Sequence, residues 1–217
     1  MSIDGSLSAH RLIEQLEELL DQFPLSSVIR SHAGLVDEAL ELWRERLDML
    51  GDPGRRYWDH PVELLYDEVG VLLGAMFVLV QAAVTETVSI TKRVYELNGQ
   101  AIGKKAILRL KAPVDSKTGL TYPEVADAAA NYYKHRFEWP RTWAEATNGQ
   151  QIATMSTLQA IGMHDTAELT DNLQRACYLI MRDSSADGIG RLSALVVEDW
   201  REKLAAHLRK EFRLSSY

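Results

Sequence analysis

Apolar residues recur at intervals of three and four along most of this chain, and runs that alternate apolar with polar residues hardly occur. That spacing follows the 3.6-residue helical repeat, so the pattern predicts an all-α protein. The first helix is expected over 8–23, with Leu12, Leu16, Leu19, Leu20 and Phe23 in one stripe, Ser8 as its cap and Pro24 as its stop. A second, over 32–50, presents Val36, Leu40, Trp43, Leu47 and Leu50 as the seam of an antiparallel pair, so the two should form an amino-terminal hairpin. Gly51, Asp52, Pro53 and Gly54 then punctuate the chain, and Pro61 suits the first turn of a new helix.

The new helix is the longest. Tyr66, Val69, Leu73, Met76, Phe77, Val80, Val84, Val88 and Tyr95 keep one phase without a breaker until Asn98 and Gly99, which suit a carboxyl cap. At 1.5 Å per residue it would run about 55 Å and act as the spine of a bundle. Its stretch 69–84 is apolar apart from Gln81, but falls short of the roughly 20 apolar residues of a membrane span, so a buried central helix is expected. Glycines at 103 and 119, with Pro113, make 99–122 a loop and the best candidate for a mobile element, with one short helical turn or extended piece at 106–110. Helices resume over 123–139, 151–161, 165–182 and 187–212. The expected organisation is an amino-terminal hairpin, 1–54, and a main helical bundle, 55–217, forming one structural unit.

Composition narrows the chemistry. The 217 residues are 46% hydrophobic and 25% charged, ordinary for a globular domain. Cys177 is the only cysteine, which rules out an internal disulfide and a cysteine-rich zinc site. Glu14, Glu17 and Glu18 break up any signal-peptide pattern near the start, so a cytoplasmic protein is expected. The net charge of −7 is unevenly spread: residues 1–70 carry 15 acids and 6 bases, whereas 92–117 carry 7 bases and 2 acids. Phosphate-binding loops, dinucleotide fingerprints, nucleophile elbows and HExxH-type metal spacings are absent, so no cofactor and no metal are expected. The ExxH pairs of a di-iron bundle are missing as well.

The segment richest in reactive groups is NYYKHRFEWPRTW, 131–143, at the end of a helix stopped by Pro140. Asn131 and His135 lie one turn apart on one face, with Lys134 and Glu138 beside them. A histidine exchanges protons near neutral pH, and a neighbouring asparagine or lysine can orient it or stabilise negative charge. The competing reading makes Tyr132, Tyr133, Phe137 and Trp139 core anchors and leaves Asn131 and His135 with ordinary hydrogen bonds. KKAILRLK, 104–111, supplies Lys104, Lys105, Arg109 and Lys111 for a phosphate backbone; its alternatives are a solvated loop or a patch facing the acidic hairpin of a second copy.

The segment ANYYKH, 130–135, on a bundle helix beside a very long companion, resembles the motif region of the HEPN superfamily. Those are helical bundles of RNA-cleaving toxins, abortive-infection proteins and CRISPR-associated nucleases, with non-catalytic members, and their motif is arginine, a polar residue, three variable residues and histidine. Asn131 matches the polar residue and His135 the histidine, while Ala130 occupies the arginine position and leaves Lys134 as the nearby positive charge. The resemblance implies metal-independent RNA cleavage in a bacterial defence or toxin–antitoxin setting, with His135 transferring the proton and Asn131 orienting it. The other expectation is a non-catalytic scaffold that binds a protein partner, such as an antitoxin, through its acidic hairpin. A homodimer is expected under both. Two further pairs, Arg55 with His60 and Arg201 with His207, have similar spacing, but 16 arginines and 6 histidines yield roughly one such pair by chance.

Overall fold

A computed structural model of the protein describes residues 3–22, 25–50, 60–182 and 190–213. The described residues form eight helices and no strand, with one isolated antiparallel bridge between Val114 and Thr121. They are α1 (Ile3–Gln22), α2 (Leu25–Leu50), α3 (His60–Leu97), α4 (Lys104–Arg109), α5 (Tyr122–His135), α6 (Gly149–Ala160), α7 (Leu169–Met181) and α8 (Asp199–Glu211). A 3-10 turn, Trp143–Glu145, precedes α6, and a π-helical turn, Ala194–Glu198, runs straight into α8.

The spine expected from the sequence is α3, 38 residues long. Its phase residues Val69, Leu73, Met76, Phe77, Val80, Val84 and Val88 are buried, and α1, α2, α5 and α7 all pack against it. The helix ends as a glycine-capped helix should: Gly99 takes φ +74°, and the Gln100 N–H reaches back to the Tyr95 carbonyl at 2.9 Å. By length and composition alone 61–97 would suffice to cross a membrane, because the helix continues on both sides of the apolar stretch. More than half of its most apolar stretch is buried inside the bundle, as befits a core helix.

Both amino-terminal helices begin earlier than expected. α1 starts at Ile3, with Ser8 inside it; serine costs an interior position only a fraction of a kcal/mol, so a capping residue type does not by itself dictate a start. α2 starts at Leu25 because Leu25, Ile29 and Ala33 extend its buried seam backward. Both helices pack along α3. α1 also lies against α8, where Arg209 donates to both carboxylate oxygens of Glu17 at 3.1 and 2.6 Å. The expected boundary at 54/55 lies outside the described residues, as do Arg55 and the start of the last helix expected at 187.

The segment 99–122 contains a short helix, as expected, and several contacts join it to the bundle. Ile107 and Leu108 of α4 are buried, and the Trp200 indole N–H donates to the Leu110 carbonyl at 2.9 Å. The Thr121 hydroxyl donates to the Leu108 carbonyl at 2.8 Å. Asp115, itself buried, accepts from the Thr118 N–H and hydroxyl, both at 2.8 Å, and pairs with Arg182 at the end of α7. The Thr118 backbone N–H is the main reason the Asp115 carboxyl is held below the usual carboxylate range.

Candidate functional site

Helix α5 starts from a reciprocal cap. Thr121 accepts from the Glu124 N–H while the Glu124 carboxylate accepts from the Thr121 N–H, with Pro123 in the first turn. Ala126, Ala128, Ala129 and Ala130 are all buried, so small side chains let neighbouring helices pack closely around α5. At Gly74 of α3 a Cβ would fall inside the ring of Tyr133, so this crossing requires glycine.

Asp127, Asn131 and His135 follow one another at four-residue spacing along α5. Gln81, the one polar residue of the apolar run on α3, faces the first two: its amide donates to the Asp127 carboxylate at 2.8 Å, to the Asp127 carbonyl at 3.2 Å and to the Asn131 side-chain oxygen at 2.9 Å. Lys104 reaches Asp127 from α4, with its ammonium 2.7 and 2.9 Å from the two carboxylate oxygens. One turn earlier Arg109 donates to Glu124 at 2.6 Å. Lys104 and Arg109 therefore do converge on α5, and each is closed on a carboxylate there.

The remaining expected residues are more dispersed. His135 is half-exposed at the carboxyl end of α5 and its Nδ1 lies 3.2 Å from Glu138. Asn131 is oriented by Gln81. Lys134 and Lys105 are exposed, and among the described residues no acid lies within ion-pair distance of either. Lys111, at φ +59°, lines a shallow groove against α8 with Lys203, His207 and Lys210, apart from Lys104 and Arg109. Ala130, at the position of the motif arginine, is fully buried.

The aromatic residues divide between core and surface. Tyr132 is buried edge-on against Trp139 and Trp143, and its hydroxyl accepts from Asn172 at 3.0 Å. Phe137, expected among the anchors, is 86% exposed and lies beneath Arg136, whose guanidinium also covers Tyr133. The chain leaves the helix after His135, where the Glu138 N–H turns back to the His135 carbonyl at 2.8 Å, and Phe137 projects outward from that turn.

Arg201 and His207 do not form a pair. Arg201 is 4% exposed and donates to the Thr87 hydroxyl at 2.7 Å and the Ala83 carbonyl at 2.9 Å. His207 lies 2.9 Å from Glu211. His60 lies at the first turn of α3, and its Arg55 partner lies outside the described residues. Burial pushes the Cys177 thiol up to about 12, so it is no nucleophile at neutral pH. Among the described residues no cluster of three or more His, Cys, Asp or Glu is arranged to hold a metal.

Sequence reasoning missed Gln81 and Asp127 as organisers of this face. The signal was a single glutamine in sixteen otherwise apolar positions, which a buried helix tolerates only with a partner. Compared with protein-family models, curated proteins and solved structures, the chain matches none.

Proposed function

We propose that this chain is a non-catalytic helical interaction module of the cytoplasm. One observation carries the reading: the two cations that reach α5, Lys104 and Arg109, are each neutralised by a carboxylate. Phosphodiester cleavage needs uncompensated positive charge aimed at the developing negative charge. Ala130 supplies none from the core, His135 has an acid, Glu138, for its neighbour, and the unpaired Lys134 leaves α5 about 100° around the helix from His135.

The second reading is a HEPN-like protein acting on RNA in a bacterial defence or toxin–antitoxin setting. The shared face of Asn131 and His135, with Lys104 arriving one turn away at Asp127, favours it. End-labelled RNA incubated with the protein and with His135→Ala, with and without magnesium, separates the two. The interaction reading expects no cleavage by either protein. Metal-independent cleavage that disappears in His135→Ala would replace it with the second.

A further inference from the structure

Along α2 the residues Val28, Leu35, Leu42 and Met49 stand seven apart. They are 39%, 50%, 48% and 77% exposed. Scattered surface leucines are ordinary, but a heptad repeat keeps its members within about 20° per step and makes a continuous row. The row spans about 32 Å at 1.5 Å per residue.

Leu64 and Val71 of α3, also seven apart, are exposed too. α2 and α3 run antiparallel, since Trp43 stacks on Tyr66 while His32 reaches the Leu72 carbonyl. Leu35 lies three residues from His32 and Val71 adjoins Leu72, so the two rows lie at the same level along the α2–α3 contact.

Charge identifies the occupant. At i−1 and i+3 from the α2 row stand Glu38, Glu41, Glu45 and Asp48, all exposed, with no Lys or Arg among these positions. On the other side, at i+4, His32, Ala39 and Arg46 are buried or half-buried. The remaining α2 cations, Arg30 and Arg44, are two positions on from the row, about 200° around the helix. α3 adds Glu63, Asp67 and Glu68 and has no Lys or Arg before Lys92. A twofold that laid α2 antiparallel against itself would bring both acidic edges to the same side, where like charges repel.

We propose that this surface is the docking site for an amphipathic helix of a protein partner, about 20 residues long, with a leucine-type apolar spine and lysine or arginine on its flanks. The apolar row supplies the buried centre and the acidic edge selects the partner's charge. The inference rests on the interaction-module reading. RNA cleavage would defeat that reading, whereas the peptide experiment decides this surface alone.

The probe is a synthetic, fluorescently labelled helical peptide of about 22 residues, the length of the row, with leucines at the a and d positions and lysines elsewhere. Its control carries glutamates for the lysines. Anisotropy at physiological salt should show saturable one-to-one binding of the basic peptide only. Leu35→Ser with Leu42→Ser should weaken it at least about tenfold, as removal of central interface anchors does. Glu38→Lys with Glu45→Lys should weaken it comparably, while Glu202→Lys on α8 leaves it unchanged, and circular dichroism checks that each variant keeps its helix content. Absence of binding, or binding indifferent to the row and edge variants, overturns the proposal. So does a stable dimer of the unmodified protein that the leucine variants disperse, because a second copy would then cover the row.

Discussion

Gly74→Ala measures how tightly α5 is seated on α3. Alanine in place of glycine favours a helix interior by about 1 kcal/mol, so in open space the substitution would stabilise the protein. Here the new methyl lands within the Tyr133 ring, which is itself covered by Arg136. Forcing extra volume into such a contact costs about 1–3 kcal/mol, and an overlap this deep belongs at the upper end. The expected net effect is a loss of about 2 kcal/mol, from about 3 lost to overlap and about 1 gained from propensity. For a chain of this size that lowers Tm by about 4–8 °C. In a Tyr133→Ala background the obstacle is gone, and Gly74→Ala should gain about 1 kcal/mol. Urea denaturation followed by far-ultraviolet circular dichroism, run on both singles and the double, yields the coupling directly. If Gly74→Ala acts with the same sign in both backgrounds, the close crossing at Gly74 is not what governs this position.

Two further predictions concern stability. Arg201→Ala should cost about 3–5 kcal/mol, since it empties a buried site, whereas Arg201→Met should stay within about 1 kcal/mol of the unmodified protein because burying the guanidinium is itself costly. Burial is the first reason the Arg201 pKa lies below its usual value, and Thr87 retains its own bond to the Ala83 carbonyl without the arginine; equal losses for the two variants in urea melts would contradict this. The Asp115 carboxyl, held below its unfolded value by Thr118 and Arg182, contributes stability that is present above about pH 4 and lost as pH falls through its folded pKa. The Tm gap between the unmodified protein and Asp115→Asn should therefore shrink below about pH 4, and a gap that is constant or widens on acidification argues against the assignment.

The helical class and the spine were legible because they rest on periodicity within one element. The α3 stripe from Val69 to Val88 is buried as its spacing demands, and Asn98 and Gly99 end the helix where a glycine cap should. Start positions were less legible, since Ser8 lies inside α1, and His32 lies inside α2, whose buried seam extends back to Leu25. Thr121 with Glu124 was a readable capping box, and it places the start of α5 at Tyr122. At 99–122 glycine and proline mark the loop around its short helix, but not its contacts, because Trp200 and Arg182, which hold it, are remote in sequence. In the candidate site the residue types of α5 were visible. Their satisfaction by Gln81 and Lys104 was not, since no local pattern records which helix lies opposite.

The π-helical turn before α8 bears on how this chain can change its length. There the Asp199 N–H reaches the Ala194 carbonyl, five residues back, so the turn holds one residue more than an ordinary helical turn. A surplus residue of this kind lets Trp200, Arg201 and Leu204 keep their inward aim while the turn bulges locally. Among the described residues it is a place where an insertion has somewhere to go without rotating everything that follows, and where a deletion would return the segment to plain α-helix.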